Sequence, residues 1–193
     1  MKEKHTEQSI GRLFEKIDFE THPLEGGVFE DCRFRHCNFA RTDLSGLIFR
    51  NCTFDGCDMS LVKFAGTSLQ EVRFVNSKLL GIQFCDCRKL LLQMEFDHCM
   101  LRLSVFSGLD LKKTKFADCD LQEADFTRAN LSGAAFESCD LGMAIFFHTN
   151  LEKADFRTAV NFSISPEANR IRKAKFSIHG LSGLLDVYGI EIE

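Results

Sequence analysis

The chain has 193 residues and contains no tryptophan, one tyrosine and two prolines. Because proline removes a backbone donor and breaks helices and sheets, its scarcity favours long uninterrupted structure. No apolar run approaches the roughly 18 residues of a membrane-spanning helix, and residues 1–10 are polar and charged, unlike a secretory signal. We therefore expect no membrane contact and a cytoplasmic protein.

What the chain does have is a large apolar residue at every fifth position. A helix repeats every 3.6 residues and a strand every 2, so a strict period of five fits neither. A fixed short period is typical of a solenoid, whose repeats bury their apolar faces by stacking. The first series is Phe14, Phe19, Leu24, Phe29, Phe34, Phe39, Leu44, Phe49, Phe54, Met59, Phe64, Leu69, Phe74, Leu79 and Phe84. The second is Leu91, Phe96, Leu101, Phe106, Leu111, Phe116, Leu121, Phe126, Leu131, Phe136, Leu141, Phe146, Leu151 and Phe156.

The residue two places before each large one is small or apolar, and the other three of each five hold nearly all the charge. A unit of five residues in which two side chains point inward and three point outward forms one side of a tube, and the inward side chains fill its centre. Grouping at a spacing of 20 gives a column of phenylalanines from Phe14 to Phe156, which indicates four sides per coil. The column holds only if the coil between Phe74 and Phe96 has 22 residues. We therefore predict a two-residue bulge near 85–89, where Lys89 is the one charged inward position.

The units Ala124-Asp125-Phe126, Ala129-Asn130-Leu131 and Ala154-Asp155-Phe156 resemble the motif A(D/N)Lxx of the pentapeptide-repeat family. The resemblance implies an all-β fold, a right-handed quadrilateral β-helix. We expect a little over seven coils across residues 14–158, a rod roughly 35 Å long at about 4.8 Å per layer. The Asp or Asn before a large residue is expected to bond local backbone at the corners.

Cysteine is abundant, at nine residues. Seven occupy the small inward position and are expected to be buried thiols: Cys32, Cys37, Cys52, Cys57, Cys99, Cys119 and Cys139. Cys85 and Cys87 are expected near the surface, and a lone CxC without a second pair does not predict zinc. No glycine-rich phosphate loop is present, and the six histidines fall on different faces without a neighbouring Ser or Cys nucleophile. We expect no enzyme, no cofactor and no metal.

The two ends depart from the repeat. Residues 1–13 are expected to form an N-terminal cap with Ile10 and Leu13 turned inward, because open solenoid ends expose apolar groups. Residues 159–193 are expected to form a C-terminal cap with one further unit at Phe176 and a short helix over 180–188, followed by Ile190 and Ile192. This segment is either a plain cap or a cap that also forms a homodimer. The candidate dimer residues are Phe176, Leu181, Leu184, Leu185, Tyr188 and Ile190.

Within the family, the chain is similar to the Qnr-type and, more closely, the albicidin-immunity members. The residues that carry this are Glu71-Val-Arg-Phe-Val75 with Lys78-Leu-Leu-Gly-Ile82, and the ending from Ala159 through Asn169–Ser177 to Ile192. The resemblance implies a C-terminal dimer shaped like a DNA duplex that binds DNA gyrase or topoisomerase IV and protects it from topoisomerase poisons. The long loops of some Qnr-type members are missing here.

The charge distribution bears on DNA mimicry. The net charge is −4, and residues 94–158 hold 11 acidic and 7 basic side chains, whereas 12–93 are balanced. Concentrated negative charge suits a basic groove. The candidate partner-binding carboxylates are Glu95, Asp97, Asp118, Asp120, Glu123, Glu137 and Asp140, and no direct nucleic-acid binding is expected. The alternatives are an ordinary solvated surface and a non-catalytic adaptor rod for another protein.

Overall fold

The computed structural model describes residues 8–191, which wind around one continuous apolar core. Their short strands all pair in parallel. The strands are β1 Gln8–Ile10, β2 Leu13–Glu15, β3 Val28–Glu30, β4 Arg33–Arg35, β5 Ile48–Arg50, β6 Thr53–Asp55, β7 Ser68–Gln70, β8 Val72–Val75, β9 Met94–Asp97, β10 Lys115–Ala117, β11 Ala135–Glu137, β12 Asp155–Phe156 and β13 Lys175–Phe176.

The strands form two adjacent sides of the tube. One is a nine-stranded sheet in the order β2-β4-β6-β8-β9-β10-β11-β12-β13, and the other is a four-stranded sheet, β1-β3-β5-β7. Isolated parallel bridges, such as Met100 to Asp120 and Val105 to Asp125, connect successive coils on the remaining sides. The pairing of Phe54 with Phe74 and of Phe74 with Phe96 confirms both the spacing of 20 and the coil of 22. The parallel solenoid predicted from the sequence is confirmed.

The rod is longer than the repeat alone predicts. Ser9, at the centre of β1, pairs with Phe29, so the coil begins before Phe14. At the other end Phe156 pairs with Phe176, which confirms the further unit predicted there. The coil therefore continues as far as Phe176, within the predicted C-terminal cap.

Most corners between two sides place one residue in the left-handed backbone region. Twenty-one non-glycine residues in the described part of the chain have positive φ, including Leu103 at 60° and Lys113 at 60°. None of them is Val, Ile or Thr, because a β-branched side chain clashes with its own backbone there. The aspartates of the motif hold the next bend, as predicted: Asp125 Oδ1 accepts the backbone N–H of Thr127 at 2.8 Å.

Phenylalanine rings fill the tube in stacked columns. The Phe116 ring lies parallel to those of Phe96 and Phe136, with centroids 5.1 and 5.0 Å away. It meets Phe106 and Phe126 edge-on at 5.9 and 6.0 Å. Offset-stacked and edge-to-face contacts are the geometries that aromatic quadrupoles favour. The columns thus couple each coil to the next and each side to its neighbour.

The seven cysteines predicted to face inward are buried free thiols. Their sulfurs donate to backbone carbonyls, as Cys139 does to Phe116 at 3.4 Å. Burial raises the pKa of Cys52 to about 12. The expectation for Cys87 was wrong: it lies 5% exposed in the core, and burial raises its pKa to about 12. Cys85 is partly exposed.

The two-residue bulge follows a 3₁₀ turn over Phe84–Asp86. Leu91 does not occupy the predicted inward column, since it is 67% exposed and has a φ of 58°. Leu92 packs against the core instead. Lys89 is likewise turned outward, and its Nζ donates to the Gly108 carbonyl at 3.2 Å. The extra residues let the chain keep its charged group in water while Phe96 returns to register.

The ends also differ from expectation. Ile10 and Leu13 point outward, at 59% and 56% exposed, because the adjacent strand positions Ser9 and Phe14 face the core. The predicted C-terminal helix is present as two 3₁₀ segments, Ile178–Leu184 and Asp186–Tyr188. Residues 1–7 and Ile192, which belonged to the predicted caps, lie outside the described residues. Within residues 8–191, no helix has the length and apolar character needed to cross a membrane.

Candidate partner-binding surface

The structure brings five of the seven candidate carboxylates together. Asp97 and Glu137 end strands β9 and β11 on the nine-stranded side, and Asp118 occupies the following corner. Asp120 and Asp140 face each other across a parallel bridge on the next side. These five residues, which we call the acidic ridge, cover three successive coils around one corner of the rod.

The other two candidates lie elsewhere. Glu95 is at the opposite end of β9, where its Oε2 is 3.3 Å from Nε of Arg73. Glu123 is at the next corner of the tube, with Oε1 3.6 Å from Nη2 of Arg102. Both carboxylates are paired with cations, so they add little to the field of the acidic ridge.

Two members of the acidic ridge have structural roles. Asp140 accepts three hydrogen bonds, from the Gly142 backbone at 3.0 Å, Nε2 of Gln122 at 2.9 Å and Nδ2 of Asn161 at 2.9 Å. Asp120 accepts the backbone N–H of Gln122 at 3.1 Å. These bonds fix the carboxylates on the surface. They also mean that replacing either residue changes both charge and local structure.

Asp97, Asp118 and His98 form the exposed corner of the ridge. His98 Nδ1 lies 2.7 Å from Asp97 Oδ1, and its Nε2 is 3.9 Å from Asp118 Oδ2. The hydrogen bond to Asp97 raises the pKa of His98 above its ordinary value. The three possible ligand atoms lie within 4.8 Å of one another, the only such group with metal-binding potential in the described range. Exposed groups of this kind are common without an ion, and the pattern of the sequence does not predict this one.

A strongly basic surface lies at the neighbouring corner, on the other edge of the nine-stranded side. It comprises Lys112, Lys113, Lys115, Lys153, Arg170, Arg172, Lys173 and Lys175, and we call it the basic edge. The acidic groups among or beside these residues are Asp110, Glu152, Asp155 and Glu95, which lies next to Lys115, so the net charge is +4. Sequence reasoning missed this surface, because half of the cations lie in the segment interpreted as a cap.

The C-terminal end of the rod carries exposed apolar groups. Of the candidate dimer residues, Phe176 and Leu184 pack against the core. Leu181, Leu185, Tyr188 and Ile190 are 44%, 36%, 52% and 55% exposed. Beside them, a half-open cavity of about 570 Å³ separates the last coil from the 3₁₀ segments, lined among others by Arg157, His179 and Asp186.

Comparison with known protein families finds matches to the five-residue repeat. The family described as "Pentapeptide repeat region" matches residues 28–90, and "Pentapeptide repeats (8 copies)" matches residues 96–142. No curated protein matches the chain. A trypsin-treated form of QnrB1, a plasmid-mediated fluoroquinolone resistance protein, is 17% identical over 97% of this chain and 100% of its own, with a TM-score of 0.44.

Two further solved structures are similar in the same way. Full-length QnrB1 is 16% identical over 95% of this chain and 99% of its own, with a TM-score of 0.41. HetL, a pentapeptide-repeat protein involved in heterocyst differentiation regulation in the cyanobacterium Nostoc, is 16% identical over 90% of this chain and 87% of its own, with a TM-score of 0.26. The two family matches together span more than half of the residues, and the strands within them stack at the period of the repeat. The chain belongs to the pentapeptide-repeat family.

Proposed function

We propose that this protein binds DNA gyrase or topoisomerase IV by imitating duplex DNA, and thereby protects the enzyme from topoisomerase poisons. The observation that carries the proposal is the acidic ridge, a contiguous set of carboxylates on the C-terminal coils. The resemblance of residues 71–82 and 159–192 to Qnr-type and albicidin-immunity proteins also supports it. Such a protein acts by occupying a surface and performs no chemistry.

The charge density of the ridge supports this imitation. Its three layers span about 10 Å at roughly 4.8 Å per layer. Duplex DNA carries one charge per roughly 1.7 Å, or about six over the same length. The ridge offers five carboxylates, with His98 between two of them. A basic groove built for DNA would therefore meet a comparable charge on a rigid surface.

The same proposal includes a two-fold dimer through the C-terminal end. Leu181, Leu185, Tyr188 and Ile190 are exposed there although Phe176 and Leu184 already cover the core. Burying these apolar groups against a second copy removes them from water, and the symmetry places a second acidic ridge on the far side of the junction. The dimer would then present a duplex-like surface longer than one rod.

Sedimentation at micromolar concentration tests the dimer. The double substitution Leu181→Glu with Leu185→Glu should yield monomers with an unchanged circular dichroism spectrum. Leu61→Glu with Leu103→Glu is the matched control, because both leucines are exposed on the side of the rod and should leave the dimer intact. A wild-type protein that sediments as a monomer contradicts the dimer.

Gyrase supercoiling in the presence of a quinolone or albicidin, titrated with this protein, tests the function. The most informative variant is Asp118→Lys with Glu137→Lys, since neither carboxylate holds a backbone turn and lysine occurs at other corners such as Lys113. Reversed charge against a basic groove should slow association and abolish protection. Glu20→Lys with Glu71→Lys makes the same charge change far from the ridge and should retain protection. If the folded ridge variant protects as well as the wild type, the DNA-mimic proposal fails; if the wild type does not bind either enzyme, the adaptor function becomes the better explanation.

A further inference from the structure

The basic edge contains cations that no acidic side chain neutralises. Arg170 pairs with Glu152 at 2.8 Å, and Lys175 lies 3.4 Å from Asp155, which Arg157 also engages. The remaining cations make no ion pair within residues 8–191: Lys112, Lys113, Lys115, Lys153, Arg172 and Lys173. All six are exposed. Solvated cations placed so close together repel one another, and that repulsion is relieved when an anion binds.

The unpaired cations form an ordered column. Lys113, Lys153 and Lys173 occupy the same corner in three of four successive coils, each at positive φ. The column spans about 14 Å at roughly 4.8 Å per layer. Lys112 and Arg172 flank it on one side, and Lys115 flanks it on the other. Because backbone pairing holds the corner rigid, the cations are positioned before any ligand arrives.

The one coil without a cation at this corner has unusually small side chains there. It reads Ser132-Gly133-Ala134-Ala135, so no long side chain projects from that layer. The stem of Lys113 lies over Gly133, with its Cγ 3.6 Å from where a β-carbon would be. The cations of this corner therefore lie in the layers on either side of small residues, and the Lys113 side chain extends across the gap.

The composition of the edge selects the kind of partner. No large apolar residue is exposed in the described layers 110–117, 130–137, 150–157 and 170–175. Protein interfaces usually centre on apolar and aromatic groups, whereas this surface has exposed apolar groups only beyond its two ends, at Leu90 and Leu91 and at Ile178. Binding to a phosphate backbone is mainly ionic and needs no apolar centre. The edge thus fits a polyphosphate chain better than an acidic protein.

We propose that the basic edge binds the phosphate backbone of a nucleic acid, without reading its sequence. This surface is distinct from the acidic ridge, and the proposal stands or falls without the gyrase proposal. It also departs from the expectation, drawn from sequence, that the protein makes no direct contact with nucleic acid. The acidic ridge, one side of the tube away, repels phosphates and so confines the chain to the basic corner.

Fluorescence anisotropy with a labelled 20-nucleotide single strand, the matching DNA duplex and the matching RNA, in the absence of any topoisomerase, tests the proposal. With about five phosphate contacts, the affinity for the duplex should fall about 500-fold between 50 and 200 mM salt, because each contact contributes about 0.9 to the logarithmic slope. The triple substitution Lys113→Glu, Lys153→Glu, Lys173→Glu should abolish measurable binding at 100 mM salt. Lys113→Gln alone should lower the slope by about one, and it keeps the test valid if the triple variant fails to fold.

The matched control is the triple substitution Lys16→Glu, Arg41→Glu, Arg128→Glu, which reverses three exposed cations at positive φ on other corners and should leave nucleic-acid binding nearly unchanged. Poly-glutamate of similar charge serves as a competitor and should displace the nucleic acid poorly. Absence of binding at 50 mM salt overturns the proposal, as does a salt slope unaffected by the lysine variants. Equal competition by poly-glutamate also overturns it, and would assign the edge to an acidic protein instead.

Discussion

Replacing Phe116 with alanine should destabilise the rod more than any surface change described above. The ring is fully buried and stacks in parallel on Phe96 and Phe136. Truncating a buried phenylalanine costs about 3–5 kcal/mol, because the removed atoms leave a cavity that rigid neighbours cannot fill. Backbone pairing above and below holds the layers about 4.8 Å apart and prevents collapse. We therefore expect a loss at the upper end of that range.

The contribution of ring stacking to the free energy of unfolding can be separated from the contribution of side-chain volume. Phe116→Leu keeps most of the volume and should cost about 1–3 kcal/mol in total, part of which comes from the lost aromatic contacts. A double-mutant cycle with Phe96→Leu should then show a coupling of about 0.5–1.5 kcal/mol, whereas Phe34→Leu with Phe116→Leu should be additive within about 0.5 kcal/mol.

Urea unfolding followed by far-ultraviolet circular dichroism gives the free energies for both pairs. A cost below about 1.5 kcal/mol for Phe116→Ala would refute the reasoning, because it would mean that the column relaxes around a void. Equal coupling for the near and the distant pair would refute it as well. The stacked rings would then not be the element that links one coil to the next.

Three other changes follow from the described contacts. Asp140→Ala removes an acceptor of three hydrogen bonds and should cost about 1–2 kcal/mol in urea unfolding, while a neutral result would show that the ridge carboxylate has no structural role. Leu103→Val should cost about 1–2 kcal/mol because a β-branched residue would occupy a φ of 60°, whereas Leu103→Gly should cost nothing or stabilise slightly. The hydrogen bond from Arg157 lowers the pKa of Asp155 from 3.8 to about 2. Because the folded pKa is depressed, this stabilisation is present above pH 4 and is lost as the pH falls toward 2, so acid titration of Asp155→Asn should show a smaller decline in that window than the wild type.

The core could be predicted from sequence because the five-residue period alone shows which residues point inward, without knowledge of which distant residues they contact. A phenylalanine that repeats at 20 residues identifies both the side of the tube and the layer. The coil of 22 residues followed from the same logic, since only that length aligns Phe74 with Phe96. The choice between Leu91 and Leu92 could not be predicted, because the period is interrupted there and local backbone geometry decides which leucine turns inward.

The surface was harder to predict because it depends on which end of a strand a residue occupies. Glu95 and Asp97 belong to the same short strand, yet they lie on different edges of the sheet and have different charged neighbours. The basic edge was within reach of the sequence, because it follows from the further unit at Phe176, which was predicted and is confirmed. The scarcity of β-branched residues at the corner positions was the unused signal that marks the corners.

Because the rod has four sides, the direction in which a surface residue points depends on its place within the repeat of twenty residues. Inserting or deleting a single five-residue unit would keep large and small residues pointing inward, and the core would close again. Everything after the change would nevertheless rotate by a quarter turn about the axis of the rod. After a deletion the acidic ridge would face where the basic edge faces now, and after an insertion the basic edge would face where the acidic ridge faces now. Only insertions or deletions of a multiple of twenty residues keep every surface residue on its original side, apart from a local bulge such as the one before Leu92. The number of residues in the rod therefore sets both its length and the direction in which its charges point.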